Sequence, residues 1–530
     1  MKFHYSVAII FLLSNLSSQG SIAGELPIGL TEEEKNNFHL IYEMGRNTDP
    51  PIAPVRNIAE YERMSGVLIR YPFGISLDII RELSEDVIVY CLVSASQQNS
   101  AFNSMSAANV NTNNVQFVVG PTDSYWTRDY GPWWVVDGNG NMSVVDFTYD
   151  RPRPNDNDAP FKISEFLDVP YYSVDIVHTG GNYMTDGYGI SASSDLVYEE
   201  NNWSNDALDS LMGLYYGVNT YHILPDPNNT YIDHIDCWGK YLSPTKVLIR
   251  EVPASHPQYN EIESVATYFS ESLNNWGFPW EVFRVWTPND QPYTNSLIVN
   301  NKVMVPLMNN AWDDEALEVY QVALPGYEII GFTGTWESTD ALHCRVKGIP
   351  DLEMLQLFHM PLLDTVSANN SEGYDLELVV DDLSGTGIID DSVKVFWKNE
   401  NTQSYNFNYL YLSDIPEEIN TYRGFIPVQA FGTKIDYFLR AADSSGRVES
   451  NPIAGHHSFY AVPTDACNNW EIGDMDNSGQ LDIYDILILT DLVVYNNNLG
   501  VCCEYVADIN ADGLLSIIDI VTLVSLVANQ

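Results

Sequence analysis

Short apolar runs alternate with amphipathic stretches over residues 25–365, and this alternation predicts an α/β fold. Four β-prone runs lie between turns rich in Gly, Pro and Asn, namely Val115–Val119, Lys246–Ile249, Ser296–Val299 and Lys302–Pro306. Helical periodicity appears in Asn260–Asn274 and Asp313–Leu324. Strands that alternate with helices are typical of α/β domains. We therefore expect residues 24–365 to form one α/β domain.

The pattern changes over residues 370–462, where apolar and polar positions alternate with a period of two. The clearest runs are Leu376–Val380, Val393–Trp397, Ile435–Arg440 and His457–Val462. A turn sequence, Asp443–Gly446, separates two of them, and no long helical pattern is present. This segment is predicted to be a small β-sandwich.

The first 23 residues have the pattern of a secretory signal. Lys2 and His4 form a basic start, Val7–Leu13 is an unbroken apolar run, and Ser21–Ala23 fits a small-residue cleavage site. The run is far shorter than the roughly 20 residues that cross a bilayer. We expect a secreted protein, extracellular or at the cell surface, with no transmembrane segment. A buried N-terminal strand is the alternative.

Composition narrows the possible partners. The chain of 530 residues has 24 Lys and Arg against 72 Asp and Glu, a net charge of −48. Such a charge argues against nucleic acid and against anionic membrane surfaces, which both attract basic proteins. It favours cationic partners, Ca²⁺, or solvation in salty surroundings.

Residues 465–530 contain an internal repeat of an acidic loop followed by an apolar helix. The oxygen-bearing positions are Asp474, Asp476, Ser478, Asp482 and Asp485 in the first loop, and Asp508, Asn510, Asp512, Ser516 and Asp519 in the second. Each loop has glycine at its sixth position and leads into an apolar stretch, Ile486–Val494 or Ile520–Val527. Ca²⁺ takes six to eight oxygen ligands, and the glycine allows the turn that gathers them. The repeat predicts a small α-helical domain that binds Ca²⁺.

The repeat resembles type I dockerin modules, because position 12 is Asp rather than the Glu of a sensor EF-hand. The resemblance implies a Ca²⁺-folded module that docks onto a cohesin-type protein. A Ca²⁺-stabilised terminal module without a partner is the alternative. Among the cysteines of this region, Cys467 can pair with either Cys502 or Cys503, and one thiol has no evident mate.

Four motifs in residues 120–350 carry candidate chemistry. They are Trp126–Trp134, His178–Asn182, His234–Lys240 and Asp340–Arg345, with Asn295 between the last two. On a β-strand, alternation places His234 and Asp236 on one face as an acid/base pair and Cys237 on the other. Asp129 lies in an aromatic turn, where a carboxylate is suited to holding a cation.

Each of these residues also has a simpler interpretation. His234 and Asp236 are compatible with a surface strand, Asp129 with an ordinary turn, and a lone buried Cys344 with an inert thiol. Metal binding by His234, Asp236 and Cys344 is not supported, since no paired Cys or His spacing is present.

Taken in order, the four motifs resemble the guanidine-modifying deiminases of the bacterial peptidylarginine deiminase type, which are close to agmatine deiminases. The similarity spans residues 30–365 and extends to an immunoglobulin-like domain at 370–462. It implies a pseudo-fivefold α/β propeller with the active site at its axis. It also implies catalysis without a metal or organic cofactor.

The resemblance assigns a role to each matching residue. Cys344 matches the nucleophile, His234 the general acid/base, Asp129 and Asp236 the carboxylates that hold the guanidinium, Asn295 a supporting residue, Trp126 a pocket wall, and Arg151 and Arg153 the ligands of a C-terminal arginine carboxylate. One position departs from the family pattern, since Val346 stands where threonine is frequent.

These assignments imply a secreted deiminase that converts peptidyl-arginine, preferably at a C-terminus, to citrulline and ammonia through a covalent thiouronium. An agmatine or free-arginine deiminase is the near alternative. Arg151 and Arg153 discriminate between the two, because agmatine has no carboxylate. An inactive adhesin or scaffold protein is a further alternative, motivated by the sandwich and the repeats.

Overall fold

The computed structural model of the protein describes residues 26–230, 232–368, 372–430, 432–462, 470–495, 506–510 and 514–528. The predicted signal at residues 1–23, the cysteines Cys467, Cys502 and Cys503, and the loop residue Asp512 lie outside these ranges.

Five small sheets in the described part of residues 56–350 share one pairing pattern. In each, an antiparallel pair of strands is followed by a third strand that pairs in parallel with the second. Their strands are Trp133–Val136, Met142–Tyr149 and Tyr171–His178; Met184–Thr185, Ile190–Ser194 and Thr220–Leu224; Gly239–Ser243, Lys246–Glu251 and Glu281–Trp286; Leu297–Val299, Lys302–Leu307 and Glu328–Thr333; and Lys347–Pro350, Met64–Arg70 and Ile88–Val93. Two edge strands, Arg56–Asn57 and Val115–Val119, extend the first and last sheets.

The fifth sheet joins the two ends of this region. Lys347–Pro350, the last strand, pairs antiparallel with Met64–Arg70 near the beginning. Five repeats of one unit, with the last completed by the first strands, are what a fivefold fold requires. The closure of the units around an axis stays a prediction.

Helices connect the parallel strands, since a parallel pair needs a crossover. The longer helices are Leu77–Asp86, Gln98–Ala107, Ala159–Leu167, Asn205–Tyr216, Tyr259–Glu271 and Asp313–Ala323. Shorter ones are Glu32–Asn36, Ile41–Met44, Thr127–Tyr130, Pro154–Asn157 and Leu196–Glu199. Ser76 begins the first long helix by accepting a hydrogen bond from the Ile79 amide, and Ile79, Ile80 and Leu83 are buried against the sheet.

The predicted elements of this region differ from the observed ones mainly at their ends. The helix expected to reach Asn274 ends at Glu271, because Ser272 adopts an extended backbone. Asn274 then accepts hydrogen bonds from the Trp276 and Phe278 amides and forms a turn. The second predicted helix is Asp313–Ala323, one residue shorter than expected.

Two sheets in residues 355–462 enclose a separate hydrophobic core that includes Tyr374, Leu378, Val395 and Phe459. One sheet contains Leu355–Phe358, Gly373–Asp382, Thr421–Pro427 and Tyr411–Leu412; the other contains Thr365–Ser367, His457–Val462, Lys434–Ala442, Lys394–Asn399, Asn406–Tyr409 and Val448–Asn451. Because Leu355–Phe358 pairs with Gly373–Asp382, the β-region begins before the boundary expected near residue 370.

Ion pairs fix this β-region to the α/β region. Arg63 makes two hydrogen bonds to Glu449, at 2.6 and 2.8 Å. Arg447 makes two to Asp351, at 2.7 and 3.0 Å. Planar guanidinium–carboxylate pairs of this type restrict orientation as well as distance.

The C-terminal repeat contains two helices, Ile483–Tyr495 and Ile517–Ala528, which begin earlier than the apolar pattern predicted. Leu489, Leu492 and Leu523 pack between them with residues of the preceding loops. Asp485 and Asp519 lie in the first turns of the two helices. None of the helices in the described ranges is both long and apolar enough to cross a membrane.

Candidate active site

The candidate catalytic residues occupy equivalent places in the five sheet units. Each lies in the segment immediately before the first strand of its unit. These segments are Thr127–Tyr130, Gly180–Asn182, Ile235–Cys237, the residue Asn295, and His343–Arg345. The fold thereby brings together side chains that lie far apart in the sequence.

The expectation that His234, Asp236 and Cys237 alternate along a strand is wrong. Ile235–Cys237 is a single 3₁₀ turn, and only His234 before it is extended. The turn forms because the side-chain oxygen of Asn182 accepts a hydrogen bond from the Ile235 amide, at 3.2 Å. Cys237 is buried in the core, with its sulfur 3.6 Å from Asp236 Oδ1.

Gly181 marks the centre of the site. A Cβ atom placed on Gly181 would lie 2.6 Å from His234 Nδ1, 2.7 Å from Asp129 Oδ1 and 3.3 Å from Asp236 Oδ2. Three polar atoms from two units, that of Asp129 and that of His234 and Asp236, therefore surround one point on a third unit. Only glycine fits there, which gives the second glycine of the His178–Asn182 motif a steric reason.

Cys344 lies next to this point, buried and held by Asn295. Its sulfur lies 3.2 Å from the Asn295 side-chain amide and 3.7 Å from Asp236 Oδ2. The side-chain oxygen of Asn295 accepts a hydrogen bond from the His343 amide, at 2.9 Å. Asn295 thus positions the turn that carries the thiol and donates to its sulfur.

Burial and like charges make the ligand-free site unfavourable for anions. Burial raises the pKa of the Cys344 thiol well above its usual value, and Asp236, Asp340 and Asp129 add to this. The pKa of Asp129 is also raised well above its usual value by burial and by the charge of Asp236. A cation at this position would offset all of these effects.

His234 and Asp236 have pKa shifts of different origin. Burial lowers the pKa of His234, whose Nδ1 lies 3.8 Å from Asp129 Oδ1. For Asp236, burial alone would raise the pKa, but the hydrogen bond and charge of His343 outweigh it and lower the value. Among the described residues, neither Asp129 Oδ1 nor His234 Nε2 has a hydrogen-bond partner.

Arg345 supports the loop before the nucleophile. It makes two hydrogen bonds to Asp340, at 2.8 and 2.7 Å, and a third to the Gly74 carbonyl. Val346, the residue that departs from the family pattern, is fully buried in the hydrophobic core. The core therefore uses an aliphatic side chain at this position.

The comparisons with known proteins establish the family of the chain. A profile of the Porphyromonas-type peptidyl-arginine deiminase family matches residues 74–350, slightly more than half of the chain. The chain belongs to this family. Enzymes of this type, agmatine and peptidyl-arginine deiminases, hydrolyse C–N bonds of amidines.

Individual relatives extend the deiminase match. The chain is 23% identical over 323 residues to the agmatine deiminase of Medicago truncatula, which covers 50% of this chain and 84% of that protein. The structure of the Enterococcus faecalis agmatine deiminase superposes with a TM-score of 0.52 at 19% identity, over 58% of this chain and 99% of that one. The latter similarity establishes the mixed α/β fold.

The two arginines that the deiminase resemblance assigns to a substrate carboxylate are both paired with carboxylates of the chain itself. Arg151 Nη1 lies 2.8 Å from Asp150 Oδ2. Arg153 Nε lies 2.7 Å from Glu34 Oε1, and its guanidinium stacks 5.1 Å from the Trp126 ring centre. Arg153 is 1% exposed, and its Nη1 has no hydrogen-bond partner among the described residues.

Sequence reasoning missed a group of buried charges behind the site. Glu60 lies outside all four motifs, so no spacing identified it. Arg128, Lys240 and His343 lie inside the motifs but received no role, and all three contact Glu60. Their high burial is the signal that only the fold provides.

The acidic loops of the C-terminal repeat hold their carboxylates differently. Oxygens of Asp474, Asp476 and Asp485 lie within 4.8 Å of one another. Asp485 accepts hydrogen bonds from the Met475 and Asp482 amides, both at 2.7 Å. In the second loop, Asp519 accepts in the same way from the Ile509 and Ser516 amides, at 3.0 and 2.9 Å.

Proposed function

We propose that the protein is a deiminase in which Cys344 attacks the guanidinium carbon of an arginine side chain. The observation that carries the proposal is the ring of three polar atoms, from Asp129, His234 and Asp236, within 3.3 Å of one point. The Cys344 sulfur lies 3.7 Å from one of them. A planar guanidinium held by the two carboxylates presents its carbon to that sulfur.

The first half of the proposed reaction forms a bond between sulfur and carbon. The ring of His234 is neutral at the start, because burial lowers its pKa. It takes the proton of the Cys344 thiol, and the thiolate adds to the guanidinium carbon. His234 then gives the proton to a terminal nitrogen, the C–N bond breaks and ammonia leaves. A thiouronium on Cys344 remains.

The second half restores the thiol. Water gives a proton to His234 and adds to the same carbon, the C–S bond breaks, and the proton returns to the sulfur. One water is consumed, and the cationic guanidino group becomes a neutral ureido group. The hydroxyl proton that is lost as the C=O forms is released to solvent, where it converts the ammonia to ammonium. No step of this reaction involves a metal or an organic cofactor.

Peptides that end in arginine are the substrates we propose first. The charge of Arg151 lowers the pKa values of both Asp129 and His234, which supports a position of its guanidinium close to the reacting groups. It is suited to binding an α-carboxylate in place of Asp150. Arg153 retains Nη1 for a ligand while its Nε binds Glu34.

Agmatine is the second candidate, and a specific observation favours it. Asp150 Oδ1 and Glu200 Oε2 are buried and have no hydrogen-bond partner among the described residues. Burial and the charge of Asp150 raise the pKa of Glu200 well above its usual value. These two carboxylate oxygens without a hydrogen-bond partner among the described residues would suit a second cation, such as the primary amine of agmatine.

Steady-state kinetics on three substrates separate these candidates. We expect Arg151→Ala to lower kcat/KM for a peptide with a free C-terminal arginine at least tenfold more than for its amidated form. Arg153→Ala is the comparison variant, since Glu34 already occupies its Nε. Faster turnover of agmatine than of either peptide, with loss in Glu200→Gln, would establish the agmatine alternative. No turnover of any of the three would favour the inactive scaffold.

For the C-terminal repeat we propose Ca²⁺ binding and docking to a cohesin-type partner outside the cell. Support comes from the clustered oxygens of Asp474, Asp476 and Asp485. Exposed apolar residues on both helices also support a protein partner: Ile483, Tyr484 and Leu487, and Ile517, Ile518 and Val521. Calorimetric titration with Ca²⁺, followed by a cohesin, tests both parts. Heat from neither ligand would contradict them.

A further inference from the structure

A chain of contacts leads from the thiol away from the site, through buried groups to the partly exposed Glu60. The Cys344 sulfur lies 3.7 Å from Asp236 Oδ2. That oxygen lies 2.7 Å from His343 Nδ1, and His343 Nε2 lies 2.5 Å from Glu60 Oε2. His343 therefore connects a carboxylate of the candidate site to a carboxylate outside it.

The two contacts of His343 determine how many protons this group holds. A neutral imidazole has one N–H, and an ionised carboxylate only accepts. Two N···O contacts of hydrogen-bond length each need a proton between the atoms. Glu60, His343 and Asp236 must therefore hold one proton more than a neutral ring and two carboxylates would carry.

Cations hold Glu60 in the ionised form. Lys240 Nζ lies 3.0 Å from Oε1 and Arg128 Nη2 lies 3.0 Å from Oε2. The Ile298 amide donates to Oε1 at 2.9 Å. Burial alone would raise the pKa of Glu60, but His343, Lys240 and Arg128 outweigh it and lower the value well below its usual range. The additional proton therefore stays with His343 and Asp236.

This proton depends on both carboxylates. Burial and the charges of Arg128 and Lys240 lower the pKa of His343 overall, although Glu60 and the hydrogen bond to Asp236 oppose them. The two short contacts of the ring nitrogens, each of which needs a proton between its atoms, are the observation that assigns the second proton to the ring. Removing the Glu60 charge leaves Arg128 and Lys240 without their anion. The ring would then lose its proton on the Glu60 side.

We propose that Glu60 and His343 are positioning residues that keep a proton beside Asp236 and so make the Cys344 thiolate easier to form. An unprotonated, full negative charge on Asp236 would repel a thiolate 3.7 Å away. The shared proton reduces that charge. The inference rests on the proposed role of Cys344 as nucleophile.

Other ionisable groups also face this chain, and they stay unchanged in the test. They are Arg128, Lys240 and Lys347 on the Glu60 side, and Asp129, His234, Cys237 and Asp340 on the thiol side. A difference between the variants and the wild type therefore reports on Glu60 and His343.

The test is the rate at which iodoacetamide alkylates Cys344 in the substrate-free enzyme, from about pH 6 to about pH 10. The rate follows the thiolate fraction. We expect Glu60→Gln and His343→Gln each to slow alkylation about tenfold at every pH below the midpoint, which equals a shift of about one unit. Alkylation of Cys344→Ala is subtracted to remove the other thiols.

His222→Gln is the matched control. This buried histidine contacts the Tyr268 hydroxyl at 2.8 Å and has no contact with the site. It should lose comparable packing and leave the alkylation profile unchanged. Wild-type rates and pH dependence in folded Glu60→Gln and His343→Gln proteins would overturn the proposal.

Alkylation needs no substrate, so its result is independent of the proposed function. A protein that fails to turn over any guanidine but shows the expected shifts would contradict the function alone. If both variants fail to fold, proton NMR of the unaltered enzyme with labelled histidine decides the point. Absence of a histidine ring with two protected, downfield N–H protons would overturn the proposal.

Discussion

Two regions of the molecule gather aspartates, and they hold them in opposite ways. Around Gly181, Asp129 and Asp236 are buried close together, and one oxygen of Asp129 has no hydrogen-bond partner among the described residues. In the C-terminal repeat, both oxygens of Asp485 accept hydrogen bonds from backbone amides.

The difference matches the two roles proposed for these regions, reaction in the first and Ca²⁺-dependent folding in the second. Backbone donors hold the carboxylates of the repeat in place before any ion is present. At the candidate active site, His343 offsets the burial of Asp236, but Asp129 Oδ1 has no donor among the described residues, so a cationic ligand is what would relieve the burial of Asp129. The buried carboxylate of Asp129 therefore destabilises the folded α/β region, whereas the hydrogen-bonded carboxylates of the repeat do not destabilise the repeat.

The largest effect on activity should come from removing the thiol of Cys344, a change that leaves both clusters of aspartates intact. Cys344→Ala should abolish release of ammonia, because it is the only nucleophile in the proposed mechanism. Circular dichroism should show an unchanged fold. Residual ammonia from arginine peptides at the wild-type rate would contradict the role of Cys344.

Neutralising Asp129 should lower activity and raise stability, whereas neutralising Asp236 should lower activity without that gain in stability. Asp129→Asn and Asp236→Asn should each cost on the order of 2–5 kcal/mol in kcat/KM, because an amide does not balance the guanidinium charge. The pKa of Asp129 is raised in the folded state, so its ionised form opposes folding above its unfolded pKa.

Asp129→Asn should therefore raise the free energy of unfolding at neutral pH, by on the order of 1 kcal/mol. Thermal denaturation of the substrate-free enzyme measures this change. A variant that loses stability as well as activity would show that Asp129 has a structural partner.

The pH dependence of kcat/KM should reflect the raised pKa values of Asp129 and Cys344. Asp129 and Cys344 must both lose protons in the productive complex, whereas burial favours their protonated forms in the empty site. The guanidinium itself stays protonated throughout. We expect kcat/KM to rise with pH from neutral towards alkaline conditions, by up to about tenfold per unit. A flat profile over that range would contradict the raised values.

The matching Asp-to-Asn substitution in the C-terminal repeat should lower stability, whereas Asp129→Asn should raise it. Asp485→Asn replaces one acceptor oxygen by an NH₂ group that faces a backbone N–H, so the module should lose about 1–3 kcal/mol. Chemical denaturation followed by circular dichroism measures it. Deiminase activity is the control and should be unchanged.

The smallest effect on activity is expected from chelation. Removing Ca²⁺ with EDTA should lower the helical signal of the C-terminal repeat, because clustered carboxylates repel one another without a cation. Deiminase activity of the same full-length protein should stay within error. Loss of activity in EDTA would instead indicate a cation site in the catalytic region.

Part of this difference between the two groups of aspartates could be predicted from the sequence. The two acidic loops each lie within a dozen consecutive residues. Their glycines, the spacing of their ligands and the helices that follow can therefore be identified from the sequence alone. The motifs containing Asp129, His234 and Cys344 could also be identified as short sequence motifs. Their assignment to catalysis came from resemblance to a family, because the strings alone were compatible with turns and a buried thiol.

Only the tertiary structure determined how these sequence motifs are arranged around the site. The strand expected at His234–Cys237 is a 3₁₀ turn, because Asn182 from another unit binds the Ile235 amide. Glu60 had no sequence signal, since its role depends on contacts with His343 and Lys240. The sequence determines which segments repeat and which residues can ionise. The meeting of five distant segments at one point, with the burial that shifts their pKa values, is a property of the packed fold.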